Sequence, residues 1–152
     1  CYPAGHLSVS MIRAECQRCA DNGQPLDVVV IDYADLLAPP PGHRETRDRI
    51  NATWMDLRTL SVEFHLCLVT ATQANAKSYN KRNMTMENFS EDKRKLAHAT
   101  AVIAINSSDT EKEKGLQRLG FVVLREDDFV STHQCTVAGC LAIADPIVLS
   151  CF

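Results

Sequence analysis

Apolar and polar positions fall into blocks of two different periods along the chain. Between Ser8 and about Asp21, Met11, Ile12, Cys16 and Cys19 recur at helical spacing. Ser8 has the hydroxyl to cap that helix, and Asn22-Gly23 is its stop signal. Leu26 to Asp32 then has no period at all: Val28-Val29-Val30-Ile31 is a continuous β-branched run, which predicts a strand buried on both faces. Pro39-Pro40-Pro41-Gly42 forces a loop. From about Thr46 to Phe64 the helical period returns, with Ile50, Trp54, Leu57, Leu60 and Phe64 on one side. Leu66 to Ala71 predicts a second buried strand, and a long polar stretch, Thr72 to Asn88, follows it.

A short helix is expected near Ser90 to His98, and a third strand at Ala101 to Ile105, ending at Asn106. Beyond the charged turn Asp109–Gly115, Leu119 to Arg125 and Gln134 to Ile143 have the pattern of two hairpin strands joined through Glu126-Asp127-Asp128. Strands alternating with helices and closing on a hairpin predict an α/β fold. Its sheet should be mostly parallel, flanked by helices, with an antiparallel edge hairpin. The first three strands should then lie in one parallel sheet.

The 152 residues suffice for one ordinary domain with a real core. The composition, 45% apolar and 23% charged, is that of a globular protein, and no run approaches the roughly 18 apolar residues of a membrane span. A net charge of −3 gives no global argument for nucleic acid, so any such argument rests on local patches. The chain starts at Cys1 rather than Met, without the basic and apolar regions of a signal peptide, which suggests a piece of something longer. Seven cysteines is an odd number for a disulfide scaffold, and their apolar or helical settings point to free thiols in a reducing cytosol. Cys16-Gln17-Arg18-Cys19 is a single CxxC on a helix, without the second pair that a structural zinc site needs.

Two strand ends carry candidate chemistry. Val28 to Asp32 places a carboxylate at the C-terminal edge of a parallel sheet, where open α/β folds bind ligands. At such an edge an Asp can hold the Mg²⁺ of a nucleotide through water; the other reading of Asp32 is a helix-cap or loop carboxylate. Gln73 sits just past the next strand, where a neutral amide can sense a terminal phosphate or simply satisfy loop backbone groups. The loops Pro39–Arg49 and Ala74–Lys95 are candidate nucleic-acid surfaces. The second carries Lys77, Lys81, Arg82, Lys93, Arg94 and Lys95 against Glu87, Glu91 and Asp92. Tyr79 offers a ring on which a base can stack, a contact worth ~1–3 kcal/mol. The plainer reading of that loop is a solvated connection.

Taken in order, these segments resemble a known family. Leu26 to Leu37 resembles the Walker B segment of DnaB-type replicative helicases, and Thr70 to Asn75 their Ser-Gln-x-Asn sensor motif. Phe89 to His98, followed by an apolar strand, resembles the segment that closes the second DNA-binding loop. Gly115 to Glu126 resembles the strand that carries the arginine finger. The resemblance runs from about Leu7 to the end and is closest to phage-type members. It implies the C-terminal part of a RecA-like P-loop NTPase core. In the complete motor, ATP and Mg²⁺ bind between subunits of a ring hexamer, and single-stranded DNA threads the channel lined by the two loops.

On that resemblance Asp32 is the Mg²⁺-linked acid, Gln73 the phosphate sensor and Arg125 an arginine finger reaching a neighbouring subunit. Lys77, Tyr79, Lys81 and Arg82 are the implied DNA contacts. The implied setting is the cytoplasm of a bacterial or phage-infected cell. Two departures stand out. Where the family carries a Lys two residues before the finger, this chain has Val123. The 152 residues also contain no G-x-x-x-x-G-K-[ST] and no counterpart of the family's catalytic Glu, so the chain alone is expected to be inactive. The rival readings are a degenerate RecA-like module that binds DNA or a partner protein without hydrolysis, and another RecA-fold ATPase such as a recombinase.

Overall fold

The computed structural model describes residues 5–42, 45–74, 83–85, 93–139 and 146–151. Its contacts divide the chain into two compact units, Cys1–Gln73 and Ala74–Phe152.

In the first unit, α1 (Val9–Asp21) begins where Ser8 Oγ accepts from the Met11 amide at 3.3 Å, and ends at Asn22 and the left-handed Gly23 (φ 73°). The cap and the stop are those expected from the sequence. The buried face is Val9, Ile12 and Cys16, whereas Met11 is exposed. Ile12 and Cys16 thus face inward as expected, Val9 joins them, and Cys19 is only half-buried. α2 (Thr46–Glu63) buries Ile50, Trp54, Leu57 and Leu60, as its period predicted, with Phe64 packed at its end. Arg47 and Arg49 belong to this helix rather than to the loop before it.

Between the helices lies β1 (Val28–Ile31), and after α2 comes β2 (Cys67–Thr70), paired in parallel from Val28 beside Cys67 to Ile31 beside Thr70. Ile31, Val29 and Leu68 join Leu57, Leu60 and Trp54 in one core. The expectation that both strands are buried on both faces is corrected here. Val28, Val30 and Val69 are 55%, 72% and 47% exposed, so only the alternate residues face the core.

In the second unit, β3 (Ala101–Asn106), β4 (Leu116–Leu124), β5 (Cys135–Ala138) and β6 (Ile147–Cys151) form an antiparallel sheet in chain order. The hairpin of β4 and β5 is as expected through Ala138, while residues 140–143 of the expected second strand lie outside the described residues. The expectation of a mostly parallel sheet is corrected: among the described residues two strands are parallel, and β3 belongs to the antiparallel four. β3 and β4 are antiparallel because the short connection Ser107–Gly115 returns the chain alongside the strand it left, whereas a parallel crossover needs a dozen or more residues. That connection holds α3 (Asp109–Glu113), started by a capping box in which Ser108 Oγ accepts from the Glu111 amide and the Glu111 carboxylate accepts from the Ser108 amide. Gly115 then turns the chain at φ 66°, and its carbonyl accepts from the Gly139 amide at 2.7 Å.

Two local expectations are also corrected in this unit. Lys95, counted among the cations of the second loop, lies on the 3-10 helix Lys93–His98 and is fully buried. Cys16, Cys19 and Cys67 are free thiols, but Cys135 is disulfide-bonded, so the expectation of free thiols throughout fails at that residue. No described helix is long and apolar enough to cross a membrane.

Candidate functional site

Parallel pairing sends the segments after β1 and β2 out at the same edge. There Thr70 Oγ1 donates to the Ile31 carbonyl at 2.8 Å and accepts from the Ala34 amide at 2.9 Å. One hydroxyl thus replaces the ladder where the two strands part, and ties the 3-10 turn Ala34–Leu36 to the end of β2. Asp32 is the first residue beyond β1 and is exposed at this edge. Tyr33 follows across a cis peptide, and its hydroxyl accepts from Gln73 Nε2 at 3.2 Å. The structure therefore brings Asp32 and Gln73, assigned from separate segments, to one strand edge with Tyr33 between them in the chain.

A second carboxylate lies close by and does different work. Asp35 Oδ1 accepts from Trp54 Nε1 at 2.9 Å and Oδ2 from Thr72 Oγ1 at 2.6 Å. Asp35 thereby links the 3-10 turn to α2 and to the segment leading to Gln73, while the exposed Asp32 is open to solvent. Sequence reasoning did not find this trio. Its only sequence signal is Trp54 on the buried helix face, since a buried indole N–H needs an acceptor.

Arg125 lies in the second unit, immediately after β4. Its backbone amide donates to the Thr100 carbonyl at 3.0 Å, and its exposed guanidinium donates from Nε to the Ala99 carbonyl at 2.9 Å and from Nη2 to the Ala97 carbonyl at 3.1 Å. The carbonyls at the end of a helical turn carry partial negative charge, so they hold this cation in a defined orientation. Val123 pairs with Val102 in the ladder. Lys77, Tyr79, Lys81 and Arg82 lie outside the described residues.

Among the described residues no group of three His, Cys, Asp or Glu could enclose a metal ion. An exposed carboxylate at a strand edge still suits Mg²⁺, which keeps several waters and takes one or two protein carboxylates beside the phosphates of its nucleotide. Asp32 meets that requirement.

Residues 3–117 match the family model for the DnaB-like helicase C terminal domain. Among solved structures the chain is similar to the ATPase domain of G40P, with a TM-score of 0.82 at 16% identity, covering 95% of this chain and 52% of that one. It is also similar to a DnaB-like replicative helicase described together with its interactions with primase, with a TM-score of 0.77 at 15% identity, covering 89% of this chain and 34% of that one. The chain thus spans about half the length of the first and about a third of the second. At such identities the likeness is one of fold, and the fold is that of a helicase ATPase domain. None of the curated proteins matches the sequence. Asp32 and Gln73 fall inside the matched span, and Arg125 lies beyond it.

Proposed function

Because this chain belongs to the family of DnaB-like helicase C-terminal domains, we propose that it is part of an ATP-driven replicative DNA helicase, which unwinds duplex by translocating on single-stranded DNA as a ring hexamer. The observation that carries this reading is the shared strand edge of Asp32 and Gln73, built by the parallel β1–β2 pair within the matched residues. Mg²⁺ and ATP would supply the electrophilic phosphate. Asp32 would hold the ion's water shell, and Gln73 would sense the terminal phosphate from its bond to Tyr33. The orientation of Arg125 by the Ala97 and Ala99 carbonyls suits a finger that must keep its place until a neighbouring subunit's nucleotide arrives. Lys77, Tyr79, Lys81 and Arg82 are the residues assigned to single-stranded DNA, and the motor would act in the cytoplasm of a bacterial or phage-infected cell.

ATP turnover tests the reading. The isolated 152 residues, which hold no phosphate-cradling sequence, should hydrolyse ATP at background. In the assembled helicase, Asp32→Ala and Arg125→Ala should each lower turnover by on the order of 100-fold, the loss expected when one stabilising contact to transition-state charge is removed. An assembled protein whose ATPase activity survives Asp32→Ala would instead fit a binding module in which this edge has no part in hydrolysis.

A further inference from the structure

Residues 83–85 stand inside the polar stretch assigned to single-stranded DNA, and the structure ties them to the antiparallel sheet at two points. Asn83 Oδ1 accepts from Arg118 Nη1 at 2.7 Å and from Gln134 Nε2 at 3.2 Å. The Met84 amide donates to Oδ1 of the buried Asn106 at 2.9 Å. Arg118 is the centre of the arrangement. Its Nη1 also donates to Gln134 Oε1 at 2.7 Å, while Nε and Nη2 donate to the two carboxylate oxygens of Glu111 at 2.8 and 3.3 Å. The pair is sheltered, with side chains 13% and 26% exposed. Glu111 is itself fixed by the capping box of α3. Gly120 on β4 makes room for the third partner: a Cβ there would come within 3.2 Å of Gln134 Cγ.

We propose that Arg118 is a positioning residue for DNA contact, a role that rests on the helicase reading above. By holding Asn83 to β4 and to Gln134, the residue before β5, it anchors the chain beside two of the assigned cations. Arg82 and Lys81 are the two residues that precede the anchored Asn83 in the sequence. An anchor of this kind lowers the ordering cost of binding without itself touching a phosphate.

The test separates positioning from direct contact. In the assembled protein, Arg118→Ala and Asn83→Ala should each weaken single-stranded DNA binding about tenfold, the equivalent of ordering roughly one residue. The slope of log K against log salt should stay unchanged. Arg82→Ala, which removes a phosphate contact, should lower that slope by ~0.7. The double variant should be no weaker than either single one. Asn83→Ala keeps the Arg118–Glu111 pair, so its effect does not depend on unfolding of the sheet.

Hydrogen exchange of the Met84 amide, bonded to Asn106 and one residue after the clamped Asn83, reports whether the clamp holds this segment. It should be slow in the parent protein and faster in both variants. A Met84 amide that exchanges freely in the parent overturns the proposal, as does DNA binding at parental strength in Arg118→Ala. If Lys77→Ala/Lys81→Ala/Arg82→Ala also binds DNA like the parent, the DNA assignment of the stretch fails first, and the positioning role falls with it.

Discussion

Trp54 donates its indole N–H to Asp35 at 2.9 Å, joining the buried face of the second helix to the turn that follows the acidic strand. The same carboxylate takes the Thr72 hydroxyl, one residue before Gln73. A change at either end of this link reaches the strand edge that carries Asp32 and Gln73.

Asp35→Ala strands a buried indole donor and releases Thr72. Removing a charged hydrogen-bond acceptor from partly buried donors costs about 1.5–3 kcal/mol, and Asp35→Asn, which retains one acceptor, should cost less. Urea unfolding followed by the fluorescence of Trp54, the single tryptophan, measures both. Equal stability of Asp35→Ala and the parent would remove Asp35 from the account of the edge.

Gly115 has two separate reasons to be glycine. Its φ is +66°, and an added Cβ would stand 2.9 Å from the Gly139 carbonyl oxygen, a backbone atom that cannot turn aside. Gly115→Ala should therefore destabilise the second unit by roughly 1–3 kcal/mol. Chemical denaturation followed by circular dichroism is the measurement. A loss below about 0.5 kcal/mol would mean that the β4–β5 register shifts to absorb the methyl group.

Glu111 makes the antiparallel unit acid-sensitive. The Ser108 amide first, and then Arg118, hold its carboxylate well below the usual 4.5, at about 2. A depressed folded-state value means that the unfolded chain takes up the proton first as pH falls. The stabilisation is thus complete above about pH 4.5 and is lost progressively down to about pH 2. Glu111→Gln should flatten the stability profile in that window and leave the neutral side with a constant deficit. A parallel profile for the two proteins would contradict the assignment.

His65 ends the second helix in the left-handed region, at φ 52°, a place where glycine carries no side-chain penalty. His65→Gly should raise stability by about 0.5–1 kcal/mol, the relief of left-handed strain less the entropy glycine adds to the unfolded chain. A rise in melting temperature of roughly 2–4 °C is the expected readout. A fall would show that the imidazole makes a contact worth more than the strain.

Much of this protein is local and was therefore legible in the chain. The helix starting at Ser8 and stopped by Gly23, the buried stripe from Ile50 to Leu60, and the acid that ends an apolar strand all depend on residues a few positions apart. Capping, periodicity and turn chemistry act over that range, and the order of the motifs gave the family. What only the tertiary structure decided depends on partners distant in sequence. Val28-Val29-Val30-Ile31 is apolar at every position and cannot say which alternate side chains will be covered, and the core formed with α2 chose Val29 and Ile31. Ala101 to Asn106 has the composition of a parallel core strand, yet its direction relative to a neighbour was set by the short return through Gly115 to β4. Lys95 is a loop cation on paper, until the fold encloses it. Arg118 is one arginine among several in the sequence, and becomes a clamp because strand pairing and a helix cap bring Gln134, Glu111 and Asn83 around it. Side-chain preference acts along the chain, whereas burial and pairing are settled between segments, and no local pattern carries that information.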